Sequence, residues 1–300
     1  MILLLGSSGY VGTEFMRQLD SYVTIKHTDI VDENFLREFI RDNEIELVIN
    51  CAGYVGKPNV DACETQREET FDGNVLFPLM VQLACSGIAT LGHVSTGCIY
   101  NEDDPENPSK EYTELDEPNF DFLHGNCSFF SGTKALAEKL LMEKQEDLYI
   151  WRLRMPFSSV PHRKNIITKF HKFSDVLMAK NSMSRLSDFV RCCIECFIKR
   201  VPFGIYNMTN GGHVYFPDFV RDIEKAIYIN ELSDLDIDDD KYIDYEYVIE
   251  KEYVTQSQLN EVLVVPRSNC ILSNSKLLNT GIQMDDVHTA IEKCLRTYKE

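Results

Sequence analysis

The opening run, MILLLGSSGYVGTEFMRQL, constrains the fold more than any other stretch of the chain. An apolar segment, Met1 to Leu5, runs straight into Gly6-Ser7-Ser8-Gly9-Tyr10-Val11-Gly12, and a helical pattern follows. A short apolar run of this kind predicts a buried parallel strand, and the next segment an amphipathic helix. The tight turn between them needs glycine. Gly6 allows unusual backbone angles, Gly9 lets the main chain approach a ligand, and Gly12 lets the helix pack closely on the strand. The helix N-terminus then presents free N–H groups and a positive dipole end, which suit a pyrophosphate.

The pattern then repeats. Tyr22–Ile25 is predicted as a second strand, Glu33–Asn43 as a helix and Glu46–Asn50 as a third strand. This alternation is doubly wound, and its ligands sit beyond the carboxyl ends of the strands. Gly6–Gly12, His27–Ile30 and Cys51–Gly56 all lie there. Further along we expect a helix over Asn74–Ser86 with Pro78 inside it, a strand over Thr90–Ser95, and a long polar loop over Asn101–Asn126. A helix over Gly132–Lys144 and a strand over Leu148–Arg154 follow. The second half breaks the alternation. It contains a basic segment (His162, Arg163, Lys164, Lys169, His171, Lys172), helices over Asp188–Lys199 and Pro217–Ile229, and a strand over Gly204–Met208. Glu231–Glu252 is acidic and reads as a solvated insertion. The expected architecture is α/β, a Rossmann-type doubly wound parallel sheet with a smaller C-terminal substrate-binding domain. The dinucleotide-binding domain spans 1–155 with a return near 185–200, and 156–300 is mostly substrate-binding.

Charge narrows the function. The chain of 300 residues carries 30 Lys and Arg against 48 Asp and Glu, a formal net charge of −18. That argues against nucleic-acid or anionic-membrane binding, although a local basic pocket can still hold a small anion. There is no transmembrane run, and Met1–Leu5 is too short for a signal-peptide core. The ten cysteines are scattered along the chain, so we expect a reducing, cytoplasmic setting without disulfides. Cys192, Cys193 and Cys196 read as small core hydrophobes, and no metal site is expected.

The GxxGxxG spacing, the run Asn50-Cys51-Ala52-Gly53, the run Ser95-Thr96-Gly97-Cys98-Ile99-Tyr100, and Thr133-Lys134 opening a helix resemble an extended short-chain dehydrogenase. Several segments more narrowly resemble the nucleotide-sugar 3,5-epimerase/4-reductases that make UDP-L-rhamnose in plants and large viruses. They are AGYVGKPNVDACE (52–64), TGCI (96–99), RMP (154–156), NIITK (165–169), NSM (181–183) and PRSN (266–269), and they cover nearly the whole chain. The resemblance implies a UDP- or dTDP-linked 4-keto-6-deoxyglucose substrate, whose C3 and C5 protons are exchanged before C4 is reduced. It assigns Cys98 and Lys169 to the epimerising acid/base pair. A thiol near a cation loses its proton more easily, and a desolvated lysine can act as a neutral base. For reduction it assigns Thr96 to the carbonyl, Lys134 to the nicotinamide ribose, and a tyrosine four residues before that lysine as proton donor. Here that position is Phe130, so YxxxK has become FxxxK. A phenyl ring has no proton to give, so reduction is expected to be impaired while epimerisation persists.

For the cofactor, the resemblance and the strand ends together name Gly6, Ser8, Gly9, Tyr10, Val11, Gly12, Lys26, His27, Asp29, Ile30, Cys51, Ala52, Gly53 and Lys134. An acidic residue after the second strand usually binds the adenosine ribose and favours NAD(H); Asp29 and Ile30 can instead flank the adenine while Lys26 and His27 meet a 2′-phosphate, and we favour NADP(H) over NAD(H). Arg267 is the expected partner of the diphosphate, with Asn165 and Lys169 near it; Asn59 and Asp61 are expected at the sugar, Asp61 alternatively as a helix N-cap. A homodimer is the expected assembly. The rival reading is a non-catalytic dinucleotide-binding regulatory subunit of the 4-ketorhamnose reductase group. A 4,6-dehydratase fits less well, because Gly97 and Cys98 stand where that reaction wants acidic residues.

Overall fold

The structure is a computed structural model that describes residues 1–143, 147–233 and 251–298, with side chains described up to residue 230 in the middle segment. Its centre is one parallel sheet of β1 (Ile2–Leu5), β2 (Val23–Ile25), β3 (Leu47–Asn50), β4 (Thr90–Thr96), β5 (Leu148–Leu153) and β6 (Gly204–Asn207). Their spatial order is β6-β5-β4-β3-β1-β2. Each neighbouring pair is parallel, with β1 flanked by β2 and β3. The chain therefore goes outward from β1 to β2 and crosses back to β3 on the other side of β1. The loops after β1 and β3 diverge at that reversal and open a crevice.

Side-chain alternation along the strands feeds two cores. Leu4, Leu47, Ile49, Tyr149 and Trp151 face α1 (Tyr10–Gln18) and a later helix that returns to this face, bringing Phe189, Val190, Cys192, Cys193 and Cys196. Leu3, Leu5, Val48, Leu91 and Ile150 face the opposite side, where α2 (Glu33–Asp42), α3 (Phe77–Cys85) and α4 (Phe129–Met142) supply Leu36, Ile40, Val81, Ala84 and Leu141. Strands apolar on both faces are what a sheet covered by two helix layers requires. A separate core forms from α5 (Ile166–Lys172), α7 (Phe216–Ser233) and α8 (Val287–Leu295), with Ile167, Phe170, Phe219, Ile223 and Ile291 buried together. The returning helix is α6 (Leu186–Ile198).

Two helices differ from expectation for local reasons. Instead of one helix over Asn74–Ser86, the short helix Arg67–Phe71 widens into a π-turn over Asp72–Leu76 before α3 begins. Pro78 has no N–H to give the preceding turn, and the widened turn absorbs that loss. Helix α4 starts at Phe129 rather than Gly132, because the Ser128 hydroxyl accepts from Ser131 N–H and caps it there. Phe130 therefore lies on the helix, one turn before Lys134. Lys144, the expected end of that helix, lies outside the described residues, as does most of Glu231–Glu252.

All ten cysteines are free thiols. Among the described residues no helix is long and apolar enough to cross a membrane, and no His, Cys, Asp and Glu cluster is arranged to hold a metal.

Candidate active site

The crevice begins at the glycine turn. Gly6 has φ of 77°, and a Cβ there would lie 2.6 Å from the Ala52 nitrogen. The loops after β1 and β3 touch at this point, and only glycine fits. A Cβ on Gly12 would lie 2.2 Å from the Gly6 oxygen, so α1 packs directly on the turn. Gly9 N–H donates to the Gly6 carbonyl at 3.0 Å, and Gly9 caps α1 without a side chain. The first-turn N–H groups of Tyr10, Val11 and Gly12 therefore meet no capping side chain, which is the arrangement that receives an anion.

Ser8 and Tyr10 line one side of a cleft of about 100 Å3, with Ser158 and His162 on the other. Tyr10 bridges the two: its hydroxyl lies 2.8 Å from Ser158 Oγ, and its ring stacks on His162 at 4.5 Å. Cys51 and Ala52 are half-buried and Gly53 exposed beside the turn. Lys26, His27 and Asp29 are exposed just beyond β2, with Ile30 half-buried.

Strand β4 and helix α4 carry a second group. Thr96 ends β4, and its Oγ1 accepts from Cys98 N–H at 3.1 Å. Lys134 is buried; its Nζ donates to the Val94 carbonyl at 3.2 Å and lies 3.4 Å from His93 Nε2. Burial pushes the Lys134 ammonium down to about 8, with Glu138 opposing. Phe130 carries no hydroxyl toward this group; its carbonyl accepts from Thr133 Oγ1.

The third group assembles from distant segments. Cys98 Sγ, half-buried, accepts from Arg154 Nη1 at 2.9 Å. Arg154 is itself 1% exposed, and its Nη2 donates to Asn181 Oδ1 and to the Ser268 carbonyl. Arg154 thus stands as a permanently charged fork fixed against the sulfur it touches. Lys169 faces the same place. Burial lowers its ammonium, Arg267 adds to that, and Cys98 acts the other way. Arg267 Nη2 donates to Asp61 Oδ1 at 2.6 Å. Thiol, lysine and guanidinium thus share one site, with Asp61 holding the guanidinium.

Two expected ligand contacts are occupied by structural work. Asn59, not Asp61, caps its helical turn, with its Oδ1 accepting from Asp61 N–H. Asn165 is buried. Its Nδ2 donates to the Ser158 and Val160 carbonyls and its Oδ1 accepts from Ile167 N–H, so it fastens the start of α5.

Sequence reasoning assigned no role to Arg154, Asn50, His93 or Asn74. Asn74 is buried and ties the Tyr54 backbone to Thr133 on α4. Arg154 had a readable signal: with Arg152 it puts a second charge at the end of a mostly apolar strand run, and a buried charge must find a partner inside.

The profile of the RmlD substrate binding domain matches residues 1–299. The chain is 34% identical, over 82% of its length, to a trifunctional UDP-glucose 4,6-dehydratase/UDP-4-keto-6-deoxy-D-glucose 3,5-epimerase/UDP-4-keto-L-rhamnose-reductase of Arabidopsis thaliana, of which it spans only 34%. It is 35% identical, over 77% of its length, to a bifunctional dTDP-4-dehydrorhamnose 3,5-epimerase/dTDP-4-dehydrorhamnose reductase of the same plant, covering 69% of that protein. Its fold matches the crystal structure of the L780 UDP-rhamnose synthase of Acanthamoeba polyphaga mimivirus, with a TM-score of 0.80 at 22% identity over 99% of this chain and 98% of that one. It also matches a dTDP-4-dehydrorhamnose reductase of Bacillus anthracis solved with NADP, with a TM-score of 0.74 at 17% identity over 98% and 97% of the two chains. The structural matches speak for the fold, and the profile with the plant sequences speaks for descent: the chain belongs to the RmlD substrate binding domain family.

Proposed function

We propose that the chain is a nucleotide-sugar 3,5-epimerase/4-reductase acting on UDP-4-keto-6-deoxy-D-glucose in UDP-L-rhamnose synthesis, with its reducing step weakened at Phe130. The observation that carries this is the contact of Arg154 with the Cys98 sulfur, together with the buried Lys169 that both Cys98 and Arg267 influence electrostatically. The substrate's 4-keto group acidifies the C–H bonds at C3 and C5. One member of the Cys98–Lys169 pair removes each proton, and the other returns one on the opposite face. Arg154 holds the sulfur for this exchange, and burial of Lys169 favours the neutral amine a base needs. Arg267, steadied by Asp61, binds the diphosphate oxygens, of a UDP or a dTDP carrier alike.

The crevice fits a dinucleotide. The space at Gly6 and Gly12 that no Cβ can enter, and the side-chain-free cap of α1, leave a cradle for a pyrophosphate. We assign Gly6, Ser8, Gly9, Tyr10, Val11, Gly12, Cys51, Ala52 and Gly53 to that cradle and Lys134 to the nicotinamide ribose. Lys26 and His27 at the end of β2 favour NADP(H). When bound, the dihydronicotinamide supplies the hydride for C4. Thr96 donates a hydrogen bond to the C4 carbonyl, and position 130 should deliver the proton, which phenylalanine cannot. The free thiols and the acidic charge suit a cytoplasmic homodimer.

A second reading, a regulatory subunit that binds dinucleotide without turnover, draws on Phe130 alone. Deuterium uptake separates the two. The protein and its Cys98→Ala variant are given UDP-4-keto-6-deoxyglucose in deuterated water. Incorporation at C3 and C5 that disappears in the variant supports the enzyme; no incorporation in the parent protein supports the subunit.

A further inference from the structure

We propose that Asn50 and His93 are positioning residues that favour the neutral, hydrogen-bond-accepting amine of Lys134 over its ammonium in the unliganded chain. The two stand opposite each other where β3 and β4 pair, and both are fully buried. The polarity of the contacts runs one way. Ala52 N–H donates to Asn50 Oδ1 at 3.0 Å, and that fixes the amide, because its NH2 cannot face another N–H. Asn50 Nδ2 therefore faces His93 Nδ1, at 3.3 Å, and Nδ1 must accept. A neutral His93 then carries its proton on Nε2, which lies 3.4 Å from Lys134 Nζ. An ammonium there would set donor against donor. A neutral amine accepts from Nε2–H and still donates to the Val94 carbonyl at 3.2 Å.

The groups around Lys134 agree with this assignment. On β4, burial keeps His93 far below its ordinary range, so the imidazole is neutral. On α4, Glu138 is committed elsewhere: its carboxylate accepts from Ser95 Oγ at 2.5 Å and from Arg152 Nε and Nη2 at 2.9 and 2.8 Å. It favours charge on Lys134 only through space, while burial of the amine acts the other way and dominates.

The start of this relay, Ala52 N–H, lies against the glycine turn. A ligand that draws that N–H away frees Asn50 to flip, lets His93 change tautomer, and allows Lys134 to take a proton. The bias toward the neutral amine follows from the contacts alone; its use in reduction rests on the reading of Lys134 given above.

NMR of protein labelled with 15N-histidine and 13C,15N-lysine tests both, with Lys134→Met assigning the lysine signal. The expected result is an Nε2–H tautomer for His93 and a Lys134 titration about two pH units below the surface lysines. Asn50→Asp places an acceptor at Nδ1, so it should switch His93 to the Nδ1–H tautomer and raise the Lys134 midpoint by about one pH unit or more. An Nδ1–H tautomer in the parent protein, or a Lys134 that titrates with the surface lysines, overturns the proposal. Neither readout needs turnover, so a chain without epimerase activity would still answer this question, and an active one would not answer it by itself.

Discussion

The two chemical groups of the crevice are built in opposite ways. Thr96, Phe130 and Lys134 come from one strand and one helix that packs on it, and the Ser128 cap and the Val94 carbonyl fix their places. Cys98, Arg154, Lys169 and Arg267 come from four segments spread over two cores, and one buried guanidinium ties three of those segments together. The local group can lose a functional atom at Phe130 and keep its frame, because the frame is backbone and helix packing. The distributed group draws its segments together chiefly through the Arg154 side chain. Chemistry is therefore cheap to delete in the first, whereas in the second removal of the tying arginine takes the fold's stability with it.

Phe130→Tyr should sharpen that contrast most. On the proposed reading it restores a positioned proton donor one turn before Lys134, which is worth about 10²–10⁴-fold in rate. NADPH oxidation with the epimerised substrate should rise by that factor, while deuterium uptake at C3 and C5 stays within about twofold of the parent. A variant that folds normally and gains nothing would show that the local group lacks more than a hydroxyl.

Arg154→Met probes the other side. It leaves Asn181 Oδ1 and the Ser268 carbonyl short of a buried donor and Cys98 without its cation. The expected loss is roughly 2–5 kcal/mol of unfolding free energy, read from urea denaturation, together with loss of exchange. Cys98→Ala should abolish exchange at a much smaller cost in stability. If Arg154→Met were as stable as Cys98→Ala, the distributed group would not depend on its arginine.

Lys134 adds a pH signature. Its folded-state value is lowered to about 8, whereas an unfolded lysine holds its proton to about 10.5. Between those limits the unfolded chain binds the extra proton, so this residue's contribution makes stability rise with pH there, and its burial penalty is fully present below pH 8. The stability of the parent minus that of Lys134→Met should climb by roughly 3 kcal/mol across this window. A flat difference would show Lys134 to be solvated like a surface lysine.

The same contrast explains what could be read in advance. The strand, glycine turn and helix at the N-terminus, and the helix carrying Lys134, rest on local rules of spacing and capping, and they were legible. The partnership of Asp61 with Arg267 joins residues more than two hundred positions apart, and that of Cys98 with Arg154 crosses two strands. Spacing holds no record of such meetings. The resemblance to a family named Cys98 and Lys169 and included the segment that carries Arg154, but it gave that arginine no role. Asn165 was expected near the diphosphate, and an amide before a basic helix reads the same in sequence whether it meets a ligand or caps the helix, as its side chain does here. The widened turn before Pro78 was missed because a proline signals a fault in a helix without saying how the fault is absorbed.

Asn165 gives the smallest effect and separates support from contact. Its carbonyl accepts from Lys169 N–H, while its side chain caps α5 and pins the Ser158–Val160 loop. Asn165→Ala should cost about 1–2 kcal/mol, the ordinary loss of a cap, and lower exchange modestly by loosening Lys169. Asn165→Asp keeps the acceptor for Ile167 N–H but sets a buried carboxylate oxygen against the Ser158 and Val160 carbonyls, so it should be no more stable than Ala. A residue that touched substrate would behave differently: the KM for the nucleotide-sugar would rise while stability held. Thermal unfolding and KM measured on both variants distinguish the two, and a rise in KM with unchanged melting would return Asn165 to the list of ligand groups.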